Sequence, residues 1–141
     1  MAETSSMPIG YSGTPLIDKL GIKPGMRILL IHPPAEYFDW LQTPIHDQIC
    51  TASEIPDLVH LFVKSNKEFI AAMKKIERII NKNRATTVWV SWYKKSAGIP
   101  TDLTEDVIRQ YAIQHNLVDV KVCAVTETWS GLKLVVPLKK R

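Results

Sequence analysis

Cysteine is scarce: Cys50 and Cys123 are the only two in 141 residues. Two thiols cannot make a disulfide framework, and reduced thiols in a cytosol are expected. The opening Met1–Ser6 has neither a basic start nor an apolar stretch, so it does not read as a secretory signal and a cytoplasmic protein is expected. No apolar run approaches the roughly 18 residues of a membrane helix, so no membrane partner is expected. The six glycines (10, 13, 21, 25, 98 and 131) fall outside any G-x-G-x-x-G or Walker-type spacing, and no G-x-S-x-G occurs. Charge of one sign is not dominant either. Eighteen Lys and Arg against fourteen Asp and Glu give +4, with 45% apolar and 23% charged residues, an ordinary globular composition.

What is present reads as alternating strands and helices. A small, polar N-terminal arm (1–13) precedes one domain (14–138) and a basic tail (139–141). Thr14-Pro15 opens a short helix with Leu16, Ile17 and Leu20 on one side and Gly21 as its stop. Lys23-Pro24-Gly25 suits a type II turn. Met26–Ile31 is an almost unbroken apolar run, the pattern of a strand buried on both faces. His32-Pro33-Pro34 stops it, because neither proline can donate to a ladder. Next come a short helix over Glu36–Leu41, an irregular stretch at 43–57 and a strand at Val59–Val63. Ser65 or Asn66 then caps a helix over Lys67–Lys82, with Phe69, Ile70, Met73, Ile76, Ile79 and Ile80 as its buried stripe. A strand at Thr87–Trp92 leads through a loop to Asp102-Leu103-Thr104-Glu105, which reads as a capping box before a last helix. Strands at Val118–Thr126 and Leu132–Leu138, linked by Glu127–Gly131, predict a closing hairpin.

Strands alternating with helices predict an α/β three-layer, Rossmann-like sandwich of about five strands, mostly parallel, with the C-terminal hairpin antiparallel. A last helix, a long strand and an antiparallel return resemble the end of class I methyltransferase folds over about residues 14–138. That resemblance implies S-adenosylmethionine held on a glycine-rich turn after the first strand. His32-Pro33-Pro34-Ala35-Glu36 stands there instead, and prolines remove the amides and the close backbone approach that glycine allows. The acid that would hold the ribose has only Glu68 as a poorly placed counterpart. No cofactor is therefore expected.

Several blocks together resemble a family of small, uncharacterised bacterial proteins classed as a domain of unknown function. They are Tyr11–Leu16, Gly21–Gly25, Val90-Ser91-Trp92 with Lys94-Lys95, Pro100–Asp106, Val122–Val125 and Glu127–Lys133. The resemblance implies a bacterial cytosolic protein and brings no activity with it.

In open α/β sheets, ligands bind outside the carboxyl ends of the parallel strands. Here those ends present His32, the region of Lys64 and Ser65, and Ser91, Trp92, Tyr93, Lys94, Lys95 and Ser96, with Thr101 and Asp102 on the same rim. Lysines beside an indole and hydroxyls suit a small anionic ligand. Tyr11 and Ser12 are candidates to fold back over the sheet, and Trp129 either lines the site or anchors the hairpin. His46 and Cys50, four apart, lack a third metal ligand nearby, so no metal site is expected. No catalytic set emerges, and a binding or regulatory role is expected, with a divergent methyltransferase-like or nucleotide-handling enzyme as the alternative.

Nucleic-acid binding is the other competing class. Lys67, Lys74, Lys75, Arg78, Lys82 and Arg84 make a basic row, but Glu68 and Glu77 interrupt it, no aromatics interleave with it and a solvated helix face explains it at least as well, so a nucleic-acid partner is not expected. Finally, the first strand would have an open outer edge, an association hazard unless the arm or the 43–57 loop covers it or a second copy pairs there as a homodimer.

Overall fold

The computed structural model describes residues 13–51 and 53–141. Tyr11, Ser12 and the rest of the arm before residue 13 lie outside the described residues.

Among the described residues five strands form one sheet: β1 (Ile28–Ile31), β2 (Leu58–Phe62), β3 (Thr87–Tyr93), β4 (Val118–Ala124) and β5 (Trp129–Val135). Their spatial order is β1-β2-β3-β5-β4. The first three are parallel neighbours, while β5 lies antiparallel between β3 and β4. The fold is the mixed, mostly parallel α/β sheet that the order of elements predicts.

Helices α3 (Asn66–Lys82) and α4 (Glu105–Gln114) cover one face. Phe69, Met73, Ile76 and Ile80 of α3 meet Val59, Leu61, Val88, Val90, Leu132 and Leu134 there. Each such side chain, fully buried, stabilises by about 1.5–3 kcal/mol relative to exposure. Two five-residue helices, α1 (Leu16–Leu20) and α2 (Tyr37–Leu41), cover the other face. Leu16, Leu20, Tyr37 and Leu41 pack there with Ile28, Phe62, Trp89 and Trp129. Gly21 ends α1 at φ 75°, and Gly25 takes φ 85° in the turn that feeds β1, a region glycine enters at little cost.

Several boundaries differ from the sequence expectation, among them the end of β5 at Val135 instead of Leu138, and three element starts are informative. β5 starts at Trp129 instead of Leu132, because the Thr126 hydroxyl accepts the amides of Thr128 and Trp129 (3.1 and 3.2 Å) and closes the turn early. α4 is capped by Thr104, whose hydroxyl accepts the Val107 amide at 3.2 Å; Asp102 lies outside the helix. α1 begins at Leu16, with Pro15 in the cap position.

The 43–57 segment lies along the start of the β1 edge. The Cys50 amide donates to the Ile28 carbonyl at 2.8 Å, and Ile49 bridges Ile28 in the parallel sense. Arg27 fastens this cover. Its guanidinium donates to the carbonyls of Asp47 (2.7 Å) and Ile49 (3.0 Å) and pairs with Glu54 at 2.7 Å. That pairing holds the Glu54 carboxyl below the usual range. Among the described residues no helix is long and apolar enough to cross a membrane.

Candidate functional site

The carboxyl ends of β1, β2 and β3 open into a cleft of about 570 Å³ lined by His32, Pro33, Pro34, Phe62, Lys64, Glu68, Tyr93, Ile99, Thr128 and Trp129. Its position follows from the topology. The parallel strands all point there, and the connections leaving them must climb over the rim.

Three aromatic rings form the inner wall. Tyr93 and Trp129 are cross-strand partners on β3 and β5, stacked with centroids 4.6 Å apart. Phe62 meets the Trp129 ring edge-on at 5.0 Å. The Lys94 amide donates to the Thr128 carbonyl at 2.8 Å, which ties the hairpin turn to the end of β3. Trp129 is only 6% exposed, so it serves both as a hairpin anchor and as cleft wall.

The outer lip is polar. His32 is exposed and takes φ 55°, the left-handed region, which non-glycine residues enter seldom. The following proline restricts it further, and such a backbone costs about 1–3 kcal/mol that the surroundings must supply. The turn lifts the chain over the end of β1. Pro33 and Pro34 have no amide, and α2 starts only at Tyr37, whose amide donates to the Pro34 carbonyl at 3.0 Å. Lys64 is exposed at the end of β2. Its amide donates to the Glu68 carboxylate at 2.9 Å, while Ser65 caps α3 by accepting the Glu68 amide at 3.2 Å.

A second cleft of about 880 Å³ adjoins the first through Tyr93 and Ile99; Trp92, Lys94, Lys95, Ser96, Thr101 and Thr104 are among its lining residues. Lys95 and Ser96 sit exposed on a single 3-10 turn. The Thr101 hydroxyl donates to the Lys64 carbonyl at 2.7 Å, and the Asp102 carboxylate accepts the Asn66 amide at 2.8 Å. These two residues tie the loop after β3 to the start of α3. A carboxylate also suits a helix N-terminus electrostatically.

Ser91 is not on the rim. It is fully buried, with its hydroxyl 2.7 Å from His60 Nε2, and His60 Nδ1 lies 3.0 Å from the Tyr37 hydroxyl. All three residues are 0% exposed. Burial pushes the His60 pKa down to about 3 and the Tyr37 pKa up, so this chain of groups is neutral at pH 7. Two hydroxyls, each able to donate or accept, satisfy either neutral tautomer. Phe62 stacks on His60 at 4.4 Å and stands between the pair and the cleft.

The structure thus gathers His32, Trp129 and, one cleft away, Trp92, Lys94, Lys95, Ser96 and Thr101 along one rim. It turns Ser91 inward and engages Asp102 with backbone. Tyr93, which the sequence places on the rim, forms part of the wall, whereas Phe62 and Thr128 are wall residues that sequence reasoning missed. Their signal was position alone, since each stands at a strand end or in the hairpin turn. His46 stacks on Phe38 at 4.5 Å, and among the described residues no group of three or more His, Cys, Asp or Glu could hold a metal ion.

No protein-family model matches the chain, and no curated protein matches it. Among solved structures, the chain is similar to a protein of the NADB-Rossmann superfamily from Streptococcus agalactiae. That match has a TM-score of 0.47 and 10% identity, over 87% of this chain and 68% of that one.

Proposed function

We propose that the chain is a small-molecule binding or regulatory domain whose strand-end cleft takes an anionic ligand with a planar or apolar part. The observation that carries this reading is the pairing of an aromatic wall (Phe62, Tyr93, Trp129) with a lip holding His32 and Lys64 in one cleft. Few polar groups converging on an apolar wall is the usual make-up of a ligand site. The shared sequence blocks support placing it among small bacterial cytosolic proteins.

The methyltransferase cofactor does not fit this cleft. A nucleoside cradled after β1 needs backbone amides and close approach; Pro33 and Pro34 supply no N–H, and His32 turns the chain away at φ 55°. Glu68, the nearest acid after β2, has a carboxylate oxygen bonded to the Lys64 amide. We assign no catalysis: the contacting Ser91 and His60 lie in the core, behind Phe62.

Titration calorimetry tests the reading with three probes: inorganic phosphate, an uncharged nucleoside and a nucleoside monophosphate. The monophosphate is expected to bind more tightly than either part, and Lys64→Ala to weaken it about tenfold, the loss of one charge-assisted hydrogen bond. No heat from any anion at millimolar concentration, or an unchanged affinity in Lys64→Ala, overturns it. Micromolar binding of S-adenosylmethionine would favour the enzyme reading instead.

A further inference from the structure

The two acids that break the basic row in the sequence do not break it in the folded helix. At about 100° per residue, Lys67, Lys74, Lys75, Arg78 and Lys82 of α3 fall within an arc of about 100°, roughly opposite the buried Phe69, Met73, Ile76 and Ile80. All five cations are exposed, and Ala71, which shares the arc with them, carries no charge. Glu77 lies off to the side, where its carboxylate accepts the Tyr111 hydroxyl at 2.5 Å between α3 and α4. Glu68 lies at the helix start, at the edge of the arc, accepting the Lys64 amide. Beyond the helix, exposed Arg84 donates to the Lys140 carbonyl at 3.3 Å, which brings the basic tail to the same end.

The charge is therefore polarised. Lys67, Lys74, Lys75, Arg78, Lys82, Arg84, Lys139, Lys140 and Arg141 are nine of the eighteen cations, and the other nine share the chain with twelve of its fourteen acids. A net charge of +4 conceals a band far more positive than the remainder.

We propose that this face of α3 docks on the phosphate backbone of a nucleic-acid duplex. The five helical cations span about 22 Å, a length over which a duplex carries about a dozen phosphates. No aromatic residue interleaves with them, so the stacking that single strands require is missing. An anionic bilayer is the poorer match, because a helix lying in a membrane surface needs an apolar face against the lipid, and the apolar face of α3 is buried in the core. Contacts of this kind position a protein without reading bases, so binding is sequence-independent. This inference is independent of the ligand proposed for the cleft.

Fluorescence anisotropy with a labelled 20-base-pair duplex, DNA in one arm and RNA in the other, tests it between 50 and 200 mM salt. The expected result is binding to at least one duplex, with a slope of log K against log salt of about −4 to −5 for five phosphate contacts. Lys74→Glu/Lys75→Glu/Arg78→Glu should weaken binding by at least tenfold and reduce the slope by about three. These side chains are exposed, and an unchanged melting temperature verifies that the variant folds. His32→Ala, in the cleft, should bind duplex as the wild type does, which separates this surface from the ligand site. No duplex binding at 50 mM salt, an unaffected triple variant, or capture only by phosphatidylserine vesicles overturns the proposal. The stronger of the two arms tells RNA from DNA.

Discussion

On one face of the sheet, helices of 17 and 10 residues lay hydrocarbon against hydrocarbon. On the other, two helices of five residues each cover a layer of large rings joined by directional bonds. A five-residue helix is far below the roughly 12–15 residues that hold a helix on their own, so α1 and α2 are placed by anchors: the Trp89 indole N–H donating to the Leu20 carbonyl at 2.8 Å, and the Tyr37 hydroxyl meeting His60. The long-helix face gets its position from a stripe repeated every turn, which tolerates the loss of any one contact. The short-helix face concentrates its position in a few residues. It also supports the strained turn at His32 and much of the cleft wall, so binding geometry depends on the less redundant side.

The sharpest way to break this contrast is Trp89→Ala. It removes a fully buried indole and the anchor of α1, and a loss of about 3–5 kcal/mol is expected. Urea denaturation measures it, with Ile76→Val on the long-helix face as the comparison at about 0.5–1.5 kcal/mol. Equal costs would refute the difference in redundancy.

Acid sharpens the same contrast, since the buried His60 belongs to one face only. Its folded pKa of about 3 lies below the unfolded value of about 6.5. Above pH 6.5 neither state binds the proton; between 6.5 and 3 only the unfolded state does, so stability falls as pH falls through that window. The loss by pH 4 should be on the order of 3 kcal/mol, visible as a falling melting temperature, and His60→Leu should flatten the profile. A wild-type profile flat from pH 6.5 to 4 would show that His60 charges within the folded protein.

The smallest effect concerns Gly131, where an added Cβ would come within 3.1 Å of Val125 Cγ2 and 3.3 Å of Trp89 Cε3. Gly131→Ala should cost about 1–2 kcal/mol through crowding of the ring layer. A neutral result by thermal melting would mean that the Trp89 ring shifts freely.

How far the sequence could be read follows from the same division. The α3 stripe, the Ser65 cap, the Met26–Ile31 run and the closing hairpin are local patterns, each legible within one window. The ring layer is not local. Tyr37, His60 and Ser91 are 23 and 31 residues apart, and β2 is buried on both faces, so no alternation marks His60 as inward. Ser91 was misplaced by its nearness to the end of β3. Position along a strand decides distance from the rim, but parity decides the face, and Ser91 sits two residues short of Tyr93 with its hydroxyl turned to His60. Asp102 failed for a different reason. Read as the cap, its carboxylate instead accepts the amide of Asn66 across the rim, and the Thr104 hydroxyl accepts the Val107 amide. The cleft was legible as a place, through strand direction, and in part by its residues (His32, the region of Lys64, Tyr93 and Trp129), but Phe62 and Thr128 carried no signal of their own.

The placement of the four indoles has a practical corollary. Trp129 and Trp40 flank a shallow recess beside the main cleft, which Trp129 also lines, and Trp92 borders the neighbouring one, whereas Trp89 is sealed in the interior. The molecule therefore carries its own optical reporters: ultraviolet emission from three positions responds to whatever settles on the rim, against a steady blue-shifted background from the fourth.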